Sequence, residues 1–359
     1  MKKRVIWLGA LLTLGIGLVL LRLALPSIVE RQLNARLAEM GEYTGHLEQV
    51  ELAIWRGSYT LHKLQVQKRN VEVPVPLLDA PIIDISLSWR NLFRGSIVAD
   101  VSFEQPTVHF VDGEGKTHDQ SGLGVDWRES LENLVPTHLN DVVFNNATVI
   151  FHNFVSTPPV DLKATQVNAS IINLTNVLGV DDRRVAELNA TGILFETARL
   201  ESVAHFDPFD ERARDFSFAL RVLQIDLTQI NDLAQAYANL DFESGNGELV
   251  LELEATDGLL TGYTKPLFQQ LKIFSWKSDV LEGDRNPFKI VWEVLADGVT
   301  ELFTNPAADQ FGTRIEINGD INDPDVSTFA AVIGILRNAF VEALQPYFES
   351  GRLETREDK

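Results

Sequence analysis

The sequence predicts a mainly β protein with some α (α+β). An N-terminal transmembrane helix is followed by a long-stranded antiparallel sheet with one apolar face, with amphipathic helices concentrated in the C-terminal third. Three observations carry this reading: an uncharged run from Val5 to Leu21, a hydrophobic period of two residues over much of the chain after Leu47, and helical-period stripes late in the chain.

A helix rising 1.5 Å per residue needs about 20 apolar residues to cross the hydrocarbon core, and Val5 to Leu25 supplies that length if Arg22 snorkels outward. Lys2, Lys3 and Arg4 place the N-terminus on the cytoplasmic side, so the chain after Pro26 is expected on the far side. A cleaved signal peptide is the rival. Its apolar region spans about 7 to 15 residues and ends in a small-x-small site, whereas this run is longer and continues into Arg-Leu-Ala-Leu-Pro, which favours a retained anchor.

Beyond the anchor lie 27 Lys and Arg against 51 Asp and Glu, a formal charge of −24. Such a domain repels nucleic acid, and no nucleic-acid partner is expected. Cysteine is absent, which removes disulfides, thiolate metal sites and a cysteine nucleophile from consideration. At 45% hydrophobic and 23% charged, the chain has the composition of a folded protein.

Ser27 follows Pro26, and Val29, Leu33, Leu37 and Met40 then recur at helical spacing until Gly41, which predicts a short amphipathic helix beside the membrane. From Leu47 to about Phe154 the period becomes two. Ile83, Ile85, Leu87 and Trp89 alternate with polar or small neighbours, as do Ile97, Ala99, Val101 and Phe103, and then Ala147, Val149 and Phe151. Turn chemistry falls at Arg56-Gly57, Arg94-Gly95, Gln105-Pro106 and Asp112-Gly113, and the polar stretch Asp112 to Gly124 reads as an exposed loop. After a short helix at 126–134, strands fit 139–151, 160–174, 184–198, 216–227 and 248–255.

In the last third, Asn286 caps a helix predicted over 287–304, whose Phe288, Val291, Trp292, Leu295, Val299, Leu302 and Phe303 form one stripe. A second helix is predicted over 326–348, and the tail after Gly351 is short and charged.

Catalytic chemistry is not indicated. The seven histidines show no HExxH or other compact ligand spacing, and His109 and His152 read as wet-face or hydrogen-bonded strand residues. Neither acidic cluster, Asp207 to Asp215 or Asp320 to Asp325, is an EF-hand; the second lacks the glycine and distal glutamate of that loop, and both read as structural punctuation, with weak calcium binding and a hydrolytic carboxylate pair using Asp210 or Asp323 as the alternatives. No GxSxG elbow, Walker pattern or GxGxxG is present. The chain is therefore read as a non-enzyme with no cofactor and no metal.

The order of anchor, short helix, ELAIWRGSYTLHKLQV and ISLSWRNLFRGSIVADVSFEQPTVHFV resembles the N-terminal region of the AsmA-like bacterial envelope proteins. LNDVVFNNATVIFHNF, NPFKIVWEVLADGVTELFTNP and INGDINDPDVSTFAAVIGILRNAFVEAL resemble the branch of that group known mainly as a domain of unknown function. The resemblance implies a single-pass anchor in the bacterial inner membrane, a periplasmic sheet curled into a groove, and a role in phospholipid movement. Its boundaries are an anchor at 1–26, a juxtamembrane helix at 27–46, the β-groove domain at 47–350 and a flexible tail at 351–359.

An apolar wall of this size is unfavourable in water at about 25 cal/mol per Å², so it needs either packed side chains or an amphiphile against it. The candidate lining residues are Ile83, Ile85, Leu87, Val101, Phe103, Val108, Phe110, Val149, Phe151, Leu249, Leu251 and Leu253. The expected partners are a phospholipid or other amphiphile, the inner membrane through residues 5–25, and an envelope protein if the sheet instead scaffolds outer-membrane components.

Overall fold

The structure is a computed structural model that describes residues 22–69, 73–87, 98–113, 119–120, 138–174, 186–206, 215–238, 240–276, 310–312 and 314–320. The predicted anchor run Val5–Leu21, the helices at 126–134, 287–304 and 326–348, the turn at Arg94-Gly95 and the tail lie outside these residues. Among the described residues, no helix is long and apolar enough to cross a membrane.

Strands make up 69% of the described residues, and fifteen of them form one long curved mixed sheet. The described residues open with helix α1 (residues 22–37), and Gly41 in the turn after it lies in the left-handed region. β1 (Tyr43–His46) and β2 (Gln49–Ala53) both pair with β3 (Ser58–Lys68), which pairs with β4 (Leu78–Leu87). β5 (Val98–Glu104) and β6 (Thr107–Val111) lie end to end between β4 and β7 (His138–Asn153). Next come β8 (Val160–Ile172), β9 (Ala186–Leu194), β10 (Ala198–Phe206), β11 (Phe216–Asp226), helix α2 (Asn231–Ala238), β12 (Leu240–Thr256) and β13 (Leu259–Trp276). β14 (Gln310–Gly312) and β15 (Ile315–Asp320) both pair with β13.

The expectation of a purely antiparallel sheet is corrected at β7, which runs parallel to β5 and β6. Parallel neighbours cannot be joined by a tight turn and need a crossover of about a dozen residues or more, and the chain between Val111 and His138 has that length. Gln105-Pro106 is likewise not a reversal. Gln105 takes φ 53° between two strands that share the same neighbours, so it marks a bulge in one long strand path. The predicted strand at 184–198 instead ends at Leu194, and Phe195 and Glu196, both at positive φ, turn the chain into β10.

Bulges recur across the sheet. Lys63, Gln105, Asn146, Gln166, Gln224 and Gln270 are all left-handed, and ladder register shifts occur beside Asn146, Gln166 and Gln224. At each bulge one extra residue enters, so the buried positions change sequence phase while the buried face stays the same. In β3, Leu61 is followed by Leu64 and Val66, all in one core cluster. Opposite them, Leu78 and Ala80 give way to Ile83 and Ile85 across Pro81.

Both helices lie on that buried face. Leu33 and Leu37 of α1 pack into the core beside β1, where a Cβ on Gly45 would stand 3.2 Å from Leu37. Leu233 and Ala234 of α2 pack with Val160 of β8, Leu240 and Phe242 of β12 and Phe268 of β13. Helix α2 thus touches β8 and β12 although β9, β10 and β11 lie between them in the sheet. Flat, those two strands would be about 19 Å apart, more than a helix of about 10 Å diameter spans, so the sheet wraps around α2.

Candidate functional site

The twelve candidate lining residues share the inner face of the curved sheet. Ile83 pairs with Phe103 and Ile85 with Val101 across β4 and β5. Phe103 continues to Phe144 of β7, with the two rings stacked 4.8 Å apart. Val108 and Phe110 of β6 pair with Val149 and Phe151 of β7. On the far wall, Leu249, Leu251 and Leu253 of β12 oppose Val222, Leu220 and Phe218 of β11.

Burial divides the twelve. Ile83, Ile85, Val101, Phe103, Leu251 and Leu253 are buried in the larger core cluster. Leu87, Val108, Phe110, Val149, Phe151 and Leu249 are only half-buried. Phe151 leans on the second cluster, around α2, whereas Leu87 and Val108 lean on the first. The two clusters are joined along β13, where Leu260 and Phe268 point the same way in one uninterrupted alternation.

Small side chains line the middle of this face. Ala164, Ala190, Ala198 and Ala204 occupy inner positions of β8, β9 and β10, between the half-buried Leu162, Leu194 and Leu200. Ser202 is buried among them, and its hydroxyl has no hydrogen-bond partner among the described residues. A lone hydroxyl in an apolar wall costs desolvation energy unless something donates to it or accepts from it.

The outer face carries a second constellation. His109 of β6 and His152 of β7 stack with centroids 5.2 Å apart, and His109 Nδ1 lies 2.9 Å from His152 Nε2. His152 Nδ1 in turn lies 2.5 Å from Asp161 Oδ1 across the β7–β8 ladder, and the Phe154 ring stacks on the His152 ring with centroids 4.9 Å apart. The carboxylate fixes the His152 proton on Nδ1, which leaves Nε2 to accept from His109 Nδ1. Burial, and then the neighbouring His152, hold the His109 imidazole below its ordinary pKa, against the opposing pull of Asp79.

Gln120 pairs with Val111 at the end of β6 and is fully buried, donating from Nε2 to the His109 carbonyl at 3.1 Å. The histidine side chains are therefore hydrogen-bonded strand residues, while Gln120 holds the start of the β6–β7 crossover through the His109 backbone carbonyl. Their 43-residue separation gave no spacing signal in the sequence.

Asp215 accepts from the Asp257 amide at 2.8 Å and so ties the β12–β13 turn, while the rest of the two acidic clusters has no described side chain. Among the described residues, no group of three or more His, Cys, Asp or Glu side chains is arranged to hold a metal ion. What the inner face offers is an extended apolar wall. No protein-family model matches the chain, and no curated protein matches it either.

Proposed function

We propose that this chain is a non-enzymatic, AsmA-like protein of the bacterial envelope. It is anchored in the inner membrane through residues 5–25, with its bulk in the periplasm, and it binds or conveys phospholipid-like molecules along the inner face of its sheet. The observation that carries this reading is a half-buried apolar band on one curved face, made of Val149, Leu194 and Leu249, which belong to neither packed cluster, and of Phe151 and Leu162 at the edge of the second. Apolar surface left accessible there is stabilised by acyl chains at about 25 cal/mol per Å² covered. Contacts of this kind are non-directional, so a lipid can slide from one to the next without a deep affinity minimum.

The sheet path runs through twelve strands, about 50 Å at their usual spacing. That length suits local handover of lipid or stacking of several copies. A scaffold for outer-membrane components is the second reading, favoured by Phe154 and Val155, which are exposed at the β7–β8 turn.

The test is photo-crosslinking in intact cells from positions 149 and 249, with position 203 on the outer face as control, followed by mass spectrometry. Lipid adducts at the first two and none at the third are expected. A protein that purifies from membranes without lipid and crosslinks only to another protein would replace the lipid reading with the scaffold.

A further inference from the structure

Trp55 stands at the tip of the β2–β3 hairpin, in the single turn Ile54–Arg56, and is 67% exposed. The tip of a hairpin accepts almost any polar residue, so an exposed indole there is not explained by folding. The guanidinium of Arg22 lies over its ring, 4.9 Å from the centroid. Leu23, next along α1, is 71% exposed, and Ile28 further along the helix is 51% exposed.

Arg22 directly follows the uncharged run Val5–Leu21. Helix α1 is locked to the sheet by Leu33, Leu37 and the Asn34 amide, so its first turn is held against the hairpin tip. The point where the apolar run meets the fold is therefore the point where Trp55, Leu23 and two arginines, Arg22 and Arg56, are displayed together. Elsewhere the chain is strongly acidic, with −24 after residue 25, which keeps the body of the domain away from anionic lipid. Indole rings prefer the water–lipid boundary, and guanidinium groups pair with phosphates.

We infer that Trp55, Arg22, Arg56 and Leu23 form a foot that seats the first strands of the sheet on the surface of a phospholipid bilayer at headgroup depth. This inference rests on the anchorage part of the proposed function. It also places the start of the apolar wall. The amide of Leu87 donates to the carbonyl of Gly57 at 2.8 Å, two residues from Trp55, so the wall opens beside the bilayer surface at the foot.

The chain has no cysteine, so single cysteines can be introduced and labelled cleanly. Full-length protein carrying an environment-sensitive fluorophore at position 55, or at position 155 as control, is reconstituted into vesicles of phosphatidylethanolamine and phosphatidylglycerol. A lipid-borne quencher placed at headgroup depth should quench position 55 severalfold more than position 155, and Arg22→Gln should weaken that quenching. If the protein stays with the vesicles through an alkaline wash but position 55 is quenched no more than position 155, the foot is wrong and the anchor stands. If the protein washes off, the anchor and the foot fall together.

Discussion

Asn34 closes both backbone groups of Leu47 with one side-chain amide: Nδ2 donates to the Leu47 carbonyl at 3.0 Å, and Oδ1 accepts from the Leu47 amide at 2.8 Å. Asn231 does the same for Phe242, at 3.0 and 2.8 Å. In each case a helix on the inner face is pinned to the backbone at an irregular point of the sheet: Leu47 directly follows β1, and Phe242, opposite Ile273, sits at a register shift of β12. The two helices are thus held by the same device.

Replacing either asparagine by leucine leaves a donor and an acceptor buried without partners, at a cost of about 1–3 kcal/mol. The expected outcome is a lower urea midpoint for Asn34→Leu and for Asn231→Leu. With no shared partner, the losses should add in the double variant. An unchanged midpoint in both single variants would mean that packing alone holds the helices.

His109 on the outer face predicts a pH dependence of stability. Burial and His152 lower the pKa of His109 from its ordinary 6.5, so the unfolded chain binds a proton more readily than the folded one. This contribution is fully present above pH 6.5 and is lost as pH falls through the lower folded value. Urea melts at about pH 7.5 and about pH 5.5 should show weaker folding at the lower pH, and His109→Gln should reduce that difference.

Much of the sheet is legible in the sequence because alternation survives in its strands. The predicted segments 139–151, 160–174 and 216–227 fall on His138–Asn153, Val160–Ile172 and Phe216–Asp226. Leu259–Trp276 gave no such signal, because Gly262, Thr264 and Pro266 occupy inner positions and the phase slips at Gln270. Gly262 is nonetheless required there, since a Cβ would run into the Glu252 carbonyl oxygen. Helix α2, at eight residues, is too short to establish a helical period, although Asp226 caps the turn before it by accepting from Thr228. The twelve wall residues could be assigned to one face from alternation alone. The curl that brings β8 and β12 onto one helix depends on contacts between residues far apart in sequence, which a local pattern does not encode.

The bulges that sustain this curl set the third prediction. Gln166 is exposed at φ 52°, and its carbonyl accepts from Asn168 Nδ2 at 2.9 Å, while Asn168 Oδ1 accepts from the amide of Asn146, the next bulge, at 3.1 Å. A β-branched residue is favoured in ordinary strands but not in the left-handed region, where the penalty is about 1–2 kcal/mol. Gln166→Val should therefore destabilise the fold by about that amount, and Gln166→Asn should be nearly neutral. A stabilised valine variant, read from its thermal midpoint, would show that position 166 is an ordinary strand residue.

The division of the inner face into buried and half-buried residues yields the last prediction. Ile83 is fully buried in the larger cluster, so Ile83→Ala leaves a cavity and should cost about 2–5 kcal/mol, with lipid content per folded molecule unchanged. Val149 is half-buried on the same face, where a glutamate can turn its carboxylate toward water. Val149→Glu should leave the thermal midpoint close to that of the parent protein and reduce the phospholipid recovered with it, because an anion in the middle of the apolar band repels acyl chains and anionic headgroups alike. Lipid extraction and mass spectrometry on both variants at matched folded concentration separate the two effects. Lipid lost through Ile83→Ala but retained in Val149→Glu would place the bound molecule against the packed cluster instead of the half-buried band.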